Sequence, residues 1–195
     1  MKFTKIPETT FKNVQLNAGI LLSNFDPKTA TLELTDLLGA TSGGFSFNAT
    51  PSYKDMGDDI DNCPKNTKEL KKLESMEIKM SGTFVTVTAQ SAAMLAAHAD
   101  IDSADQTHIV PRHDIEDEDF TDVWWVGDYS DENGEKNGGY CAIHMMNALS
   151  TGGFKIQSED KGKGKFAFEF MAHFSIEKQD EVPYEIYIKE GTAEA

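Results

Sequence analysis

Histidine, cysteine and carboxylate side chains are the groups in this sequence best able to bind a metal or catalyse a reaction. The two cysteines, Cys63 and Cys141, lie far apart with no CxxC motif, which excludes a disulfide framework and a cysteine-based zinc cluster. The histidines form no HExxH motif, and the spacing of His108 and His113 does not place two ligands on one strand face. We predict no metal site. Structural or surface roles are expected for the five histidines, His98, His108, His113, His144 and His173.

Motifs for a catalytic or cofactor-binding site are missing as well. The sequence contains no G-x-S-x-G nucleophile elbow, no Walker loop and no Rossmann fingerprint. A calcium-binding loop centred on Gly134 would begin at Tyr129, where the motif requires a carboxylate. Two carboxylates can catalyse glycoside hydrolysis, but a chain with 33 acidic residues offers so many possible pairs that their presence does not indicate a glycosidase. The sequence therefore predicts no catalytic residue, no cofactor and no enzymatic activity.

Acidic side chains are the strongest feature of the composition. The chain carries 18 basic and 33 acidic residues, a net charge of −15, and its one arginine is Arg112. The excess is local, since residues 98–135 hold 1 basic and 13 acidic residues, a net of −12. Such a chain is a poor candidate for gripping a nucleic-acid backbone, which needs clustered Lys and Arg. The acidic run at residues 114–122 fits a solvated loop, a cation site or a repulsive patch, and the sequence leaves these open.

The adjacent tryptophans Trp124 and Trp125 allow two interpretations. They could line a carbohydrate-binding groove, but neighbouring strand residues point to opposite faces, so at most one of them faces a given groove. The other interpretation places one tryptophan in the core and one at an interface.

Most of the chain has the residue pattern of β-strands. The clearest example is the run Phe166, Phe168 and Phe170, which share one face at a period of two. One clear α-helix is predicted over residues 91–98 with Ser91 as its N-cap, and a weaker one over residues 67–74. The whole predicts a mainly β fold, a β-sandwich or barrel with one flanking helix.

A length of 195 residues suits a single domain with long appendages. We expect an N-terminal arm at residues 1–13, a C-terminal tail at residues 190–195, and a long polar hairpin loop at residues 51–75. A loop of that length is usually functional or disordered. The sequence shows no signal-peptide pattern and no apolar run long enough to span a bilayer.

An ordered set of segments carries a resemblance to a known family. The segments are GILLSNFDP (19–27), GATSGG (39–44), YKD (53–55), DDIDN (58–62), FTDVW (120–124), VGDY (126–129), STGGF (150–154) and VPYEI (182–186). In this order, and over nearly the whole chain, they resemble the major tail tube protein of long-tailed phages or prophages of Gram-positive bacteria.

The resemblance implies a structural virion protein that forms hexameric rings, whose inner sheets close into one β-barrel and which stack into a tail tube. Its long loop would reach a neighbouring subunit or ring. The candidate contact residues in that loop are Tyr53, Asp55, Asp58, Asp59, Asp61 and Asn62.

The partners implied by the resemblance are further copies of the chain, the tape-measure protein, and the tail tip and terminator proteins. Viral DNA would pass through the tube during ejection without specific binding, and an acidic lumen would let it slide. The protein would be located in the tail of the virion after assembly in the host bacterial cytoplasm, without membrane contact. The tube protein of a contractile tail or phage-derived bacteriocin, and a monomeric carbohydrate-binding β-sandwich, remain alternatives.

Overall fold

The computed structural model describes residues 6–129 and 138–191, which form eleven strands, one α-helix and five 3₁₀ turns. The strands are β1 Gln15–Leu22, β2 Leu37–Gly39, β3 Thr41–Asp55, β4 Lys71–Phe84, β5 Ala99–Ile101, β6 Ile109–Pro111, β7 Thr121–Tyr129, β8 Gly139–Ser150, β9 Lys155–Gln157, β10 Lys165–Ala172 and β11 Tyr184–Lys189. The helix α1 is Ala89–Ala96, and the 3₁₀ turns are Glu8–Asn13, Leu34–Asp36, Lys68–Leu70, Asp117–Asp119 and Ile176–Lys178. The mainly β class predicted from the sequence is confirmed.

Nine of the strands form one antiparallel sheet that bends around β8. The order is β2-β1-β7-β8-β10-β4-β3, with β11 also paired to β8 and β9 to β10. One side of β8 pairs with β7. The other side pairs with β11 over residues 140–145 and with β10 over residues 148–150. The half of the sheet around β7 therefore joins the half around β4 through a short corner, while β5 and β6 form a separate hairpin.

The two halves of the sheet face each other across the main hydrophobic core. Leu21 and Met145 enter it from one half and Met80 from the other, all three fully buried. Phe45 of β3 stacks on Trp125 of β7 with ring centroids 4.4 Å apart, which ties the two halves together. This packing confirms the predicted β-sandwich with one helix.

A second, smaller core covers the opposite face of β7. Trp124 packs there with Leu22, Phe25 and Ala142, and the ring of Phe25 meets the indole edge-on at 5.7 Å. The adjacent tryptophans thus point to opposite faces, as the strand period predicts. Both are buried within the chain, so neither lines an open groove for a carbohydrate.

Helix α1 begins earlier than the sequence suggested. Its N-cap is Thr88, whose side chain accepts a hydrogen bond from the Ser91 backbone N–H, while the Ser91 hydroxyl accepts one from the Thr88 backbone N–H. Ser91 is therefore the third residue of a capping box and not the cap itself. The predicted helix at residues 67–74 is wrong, because only Lys68–Leu70 forms a 3₁₀ turn before β4 begins.

The predicted loop of residues 51–75 is shorter than expected. Residues 51–55 belong to β3 and residues 71–75 to β4, so the connection between the strands covers residues 56–70. Pro51 suggested a loop, but a proline without an N–H is tolerated on an edge strand, and β3 is one. The described part of the predicted N-terminal arm contains a 3₁₀ turn. Residues 1–5, residues 130–137 around Gly134 and residues 192–195 lie outside the described residues.

The buried hydroxyl of Ser150 links β8 to the end of α1 and gives a testable prediction. It donates a hydrogen bond to the Leu95 carbonyl over 2.9 Å. Ser150→Ala should lower the free energy of unfolding by about 1–3 kcal/mol, because the buried carbonyl loses its partner. Urea unfolding measures this change. Ser46→Ala, at an exposed position of β3, is the control and should change it by less than about 0.5 kcal/mol; equal losses would contradict the role of Ser150.

Candidate assembly surface

The β3–β4 hairpin extends beyond the end of the neighbouring strand β10. Strand β10 pairs with β4 only over residues 79–84, so residues 71–78 of β4 pair with β3 alone. We call residues 49–55 and 71–78 the ribbon, and residues 56–70 the tip. A two-stranded ribbon has marginal stability by itself in water. Contacts with another surface would therefore stabilise this part of the molecule.

The tip is held together by the carboxylate of Asp55. One oxygen accepts a hydrogen bond from the Gly57 backbone N–H over 2.9 Å, and the other accepts one from the Asn66 backbone N–H over 2.7 Å. These two bonds lower the pKa of Asp55 below its ordinary value of 3.8. The tip therefore has a defined conformation that depends on an ionised side chain at the end of β3.

Large apolar side chains are exposed along the ribbon and the tip. Tyr53 and Leu73 are direct cross-strand partners and lie on the same face, and the Lys71 ammonium is 5.6 Å from the centre of the Tyr53 ring. At the tip Met56 and Ile60 are about half exposed, at 47% and 53%. Exposed apolar groups on a projecting element are typical of a contact surface.

All the contact residues predicted from the sequence lie on the ribbon or the tip. Four are exposed in the tip, namely Asp58, Asp59, Asp61 and Asn62. Tyr53 is exposed on β3, whereas Asp55 uses both carboxylate oxygens inside the tip. The sequence reasoning overlooked the apolar members Met56, Ile60 and Leu73. Their signal was present, since each is an isolated apolar residue in a polar segment.

A second exposed edge lies on the other half of the sheet. Strand β11 pairs with β8 on one side, and no strand among the described residues pairs with its other side. Ile186 and Ile188 leave 53% and 60% of their surface exposed along this edge. The long strand β3 is likewise unpaired on its outer side within the described part of the chain. The two edges present backbone N–H and C=O groups that could pair with another chain.

Arg112 organises the acidic segment of residues 100–119. Its guanidinium contacts three carboxylates, with Nε 3.0 Å from Asp100, Nη1 3.3 Å from Glu116 and Nη2 2.5 Å from Asp119. It also donates to the backbone carbonyl of Asp114 over 3.1 Å. The Asp119 carboxylate is only 6% exposed. The planar guanidinium can satisfy several carboxylates at once, which lets these like charges lie close together.

The histidines have structural partners. Nδ1 of His98 lies 2.5 Å from the Arg112 carbonyl, and the ring of His144 stacks on Trp124 at 3.9 Å. Among residues 6–129 and 138–191, no group of three or more His, Cys, Asp and Glu side chains is arranged to hold a metal ion. No helix in these two ranges is both long and apolar enough to cross a membrane.

Comparison with known proteins leaves the family open. No protein-family model matches this chain, and a search of curated proteins finds no match.

Replacing Arg112 tests its role in the acidic segment. In Arg112→Ala we expect faster hydrogen–deuterium exchange over residues 100–119 and unchanged exchange in β8. Added salt should slow the exchange of the variant by screening the uncompensated carboxylates. Arg112→Lys should lie between the variant and the native chain, since one ammonium cannot match the guanidinium fork. Lys178→Ala, which removes an exposed ion pair with Glu181, is the control. If residues 100–119 exchange as slowly in Arg112→Ala as in this control, Arg112 does not hold the acidic segment together.

The lowered pKa of Asp55 predicts a pH-dependent tip. The stabilisation is present above the ordinary Asp pKa of 3.8 and is lost as the pH falls through the lower folded pKa. The NMR shifts of the Gly57 and Asn66 amides should follow this titration. Asp55→Ala should abolish it, whereas Asp58→Ala, an exposed change in the same tip, should preserve it. Amide shifts that titrate normally in Asp55→Ala would show that another group holds the tip.

Proposed function

We propose that this chain is the structural subunit of a phage tail tube, which assembles into stacked hexameric rings. The observation that carries the proposal is that two sheet edges on different halves of the sheet, β3 and β11, have no outer partner within residues 6–129 and 138–191. A chain with two different exposed edges can join head to tail, and such contacts close into rings or continue as helical filaments. The resemblance described above supports the ring.

The projecting ribbon and tip support contacts beyond a simple pair of edges. Their exposed side chains Tyr53, Met56, Ile60 and Leu73 would be covered by a neighbouring subunit in the same ring or the next. Burial of this apolar surface would offset the repulsion between chains that each carry a net charge of −15. Further partners of the assembled tube would be the tape-measure protein and the tail tip and terminator proteins.

The net charge supports a tube that conducts DNA without binding it. A basic lumen would hold the phosphate backbone through counterion release at every ring, whereas an acidic lumen leaves the duplex mobile in water. We propose that part of the acidic surface faces the lumen, and that the protein is located in the virion tail. A potential map of the assembled tube tests the acidic lumen independently of the tube itself.

The two alternatives make different predictions. The tube of a contractile tail or phage-derived bacteriocin would share the subunit and the assembly, and a neighbouring sheath gene would identify it. A monomeric carbohydrate-binding sandwich that uses the tryptophans would require at least one of them along an open groove, but Trp124 and Trp125 are both buried. The tail tube is therefore the better-supported proposal.

Replacing the tip tests the proposed assembly. We expect the concentrated native protein to form rings or tubes in negative-stain images, with more assembly at higher salt because salt screens exposed charge. A variant in which Asn-Gly replaces residues 56–70 should keep a folded β protein, since two residues can close an antiparallel hairpin, but form no tubes. A matched variant shortens the β9–β10 turn at residues 158–164 and should still assemble.

One result would contradict the tube itself: a native chain that stays monomeric at high concentration and gives no homo-oligomer on cross-linking within purified tails. Normal tube growth by the variant without the tip would leave the tube proposal intact but would show that the tip is not needed for assembly.

A further inference from the structure

An open groove with an apolar wall lies beside Phe174, in the segment that connects β10 to β11. One part, of about 510 Å³, is lined by Phe120, Phe174, Ile176, Asp117 and Glu177 among others. A second part, of about 450 Å³, shares Phe174 and continues to Leu73 and Met76 of the ribbon. We call the two parts together the Phe174 groove.

The apolar side chains of this groove are unusually exposed. Ile176 leaves 84% of its surface in water, and Phe174 and Leu73 are nearly half exposed. Asp117 and Glu177 stand beside them, and Glu116 and Glu118 flank Asp117 in sequence. The groove therefore combines an apolar wall with an acidic rim. A partner that fits it needs apolar side chains next to basic ones.

The tip of the β3–β4 hairpin has this combination of side chains. Met56 and Ile60 are its exposed apolar residues. The tip as a whole carries two lysines and four acidic residues, but its second half, residues 62–70, holds both lysines against the single acid Glu69. Lys65 and Lys68 are both exposed. The second half of the tip, together with Met56 and Ile60, is thus complementary to the groove in charge and apolar character.

The tip does not fill the groove of its own subunit. Neither part of the groove is lined by a residue of the tip, although Leu73 lies only two residues from Lys71. Strands β3 and β4 stay paired as far as Asp55 and Lys71, and so carry the tip beyond Leu73. The open groove is therefore available to an occupant from another molecule.

We infer that the Phe174 groove of one subunit receives the tip of a second copy of this chain. Ile60 and Met56 pack against Phe174 and Ile176, and Lys65 and Lys68 lie opposite Asp117 and Glu177. In this orientation the carboxylates of Asp58, Asp59 and Asp61, on either side of Ile60, remain in water. The inference rests on the proposed function only in taking a second copy as the partner, and it identifies the surface that the tip binds.

Disulfide trapping between two singly labelled variants tests the contact. In a Cys63→Ser background, Ile60→Cys is mixed with a mass-tagged Ile176→Cys and gently oxidised. Cys141 can remain, because it packs against the core and burial raises the pKa of its thiol. The mixed dimer should exceed both same-variant dimers by about tenfold. Val110→Cys, exposed on β6 and outside the groove, replaces Ile176→Cys in the control.

Charge reversal provides a second measurement that needs no cysteine. Lys65→Glu with Lys68→Glu, and separately Asp117→Lys with Glu177→Lys, should each weaken self-association by about tenfold in sedimentation. A chain with all four changes should recover most of the native association, because the attraction is restored with reversed sign. Lys161→Glu with Lys163→Glu alters the net charge as much as the first pair does, but in the β9–β10 turn, and should have little effect.

The outcomes separate this contact from the tube itself. Suppose that the protein forms tubes but gives no more mixed dimer than the Val110→Cys control. This result would overturn the contact between the tip and the groove, and the tube proposal would remain. Specific mixed dimers without rings or tubes would support the groove and count against the tube. A chain that does not self-associate would overturn both, and a four-change variant as weak as the pairs would remove the proposed charge contacts.

Discussion

The hydrogen-bonding of β8 is the constraint on which the rest of the structure depends. One edge of β8 is hydrogen-bonded to β7, and the other edge is hydrogen-bonded to β11 in its first part and to β10 at its end. This division bends the sheet into two halves that must face each other. Met145 and Ala142 of β8 then enter the two hydrophobic cores on its opposite faces. The corner between β8 and β10 places the two halves face to face, and the stacking of Phe45 on Trp125 depends on that arrangement.

Among the described residues, the same division leaves each half of the sheet with a free edge. The first half ends at β11 and the second at β3, whereas the other edges, β2 and β9, have three residues each. Proteins normally shorten, cover or charge long free edges, because an exposed edge promotes association. Here β11 presents Ile186 and Ile188 instead. Edges of this kind suit a subunit that is completed by its neighbours.

Association through these edges also depends on the distribution of charge over the chain. The acidic segment is compact because the guanidinium of Arg112 contacts Asp100, Glu116 and Asp119 at once. The tip carries two exposed lysines, Lys65 and Lys68, that lie outside this segment. Attraction between such lysines and the carboxylates of another copy is compatible with a net charge of −15 on every chain, because charge pairing acts between neighbouring groups.

The sequence by itself determined the strand class, the opposite orientation of Trp124 and Trp125, and the position of the hairpin that carries the predicted contacts. These features follow from local periodicity and composition, which act within a few residues. Only the tertiary structure decided that Pro51 lies inside an edge strand and that Ile176 is exposed beside Phe174. Whether an edge is free, or an apolar side chain is covered, depends on contacts between residues far apart in the chain, and local patterns do not record those contacts.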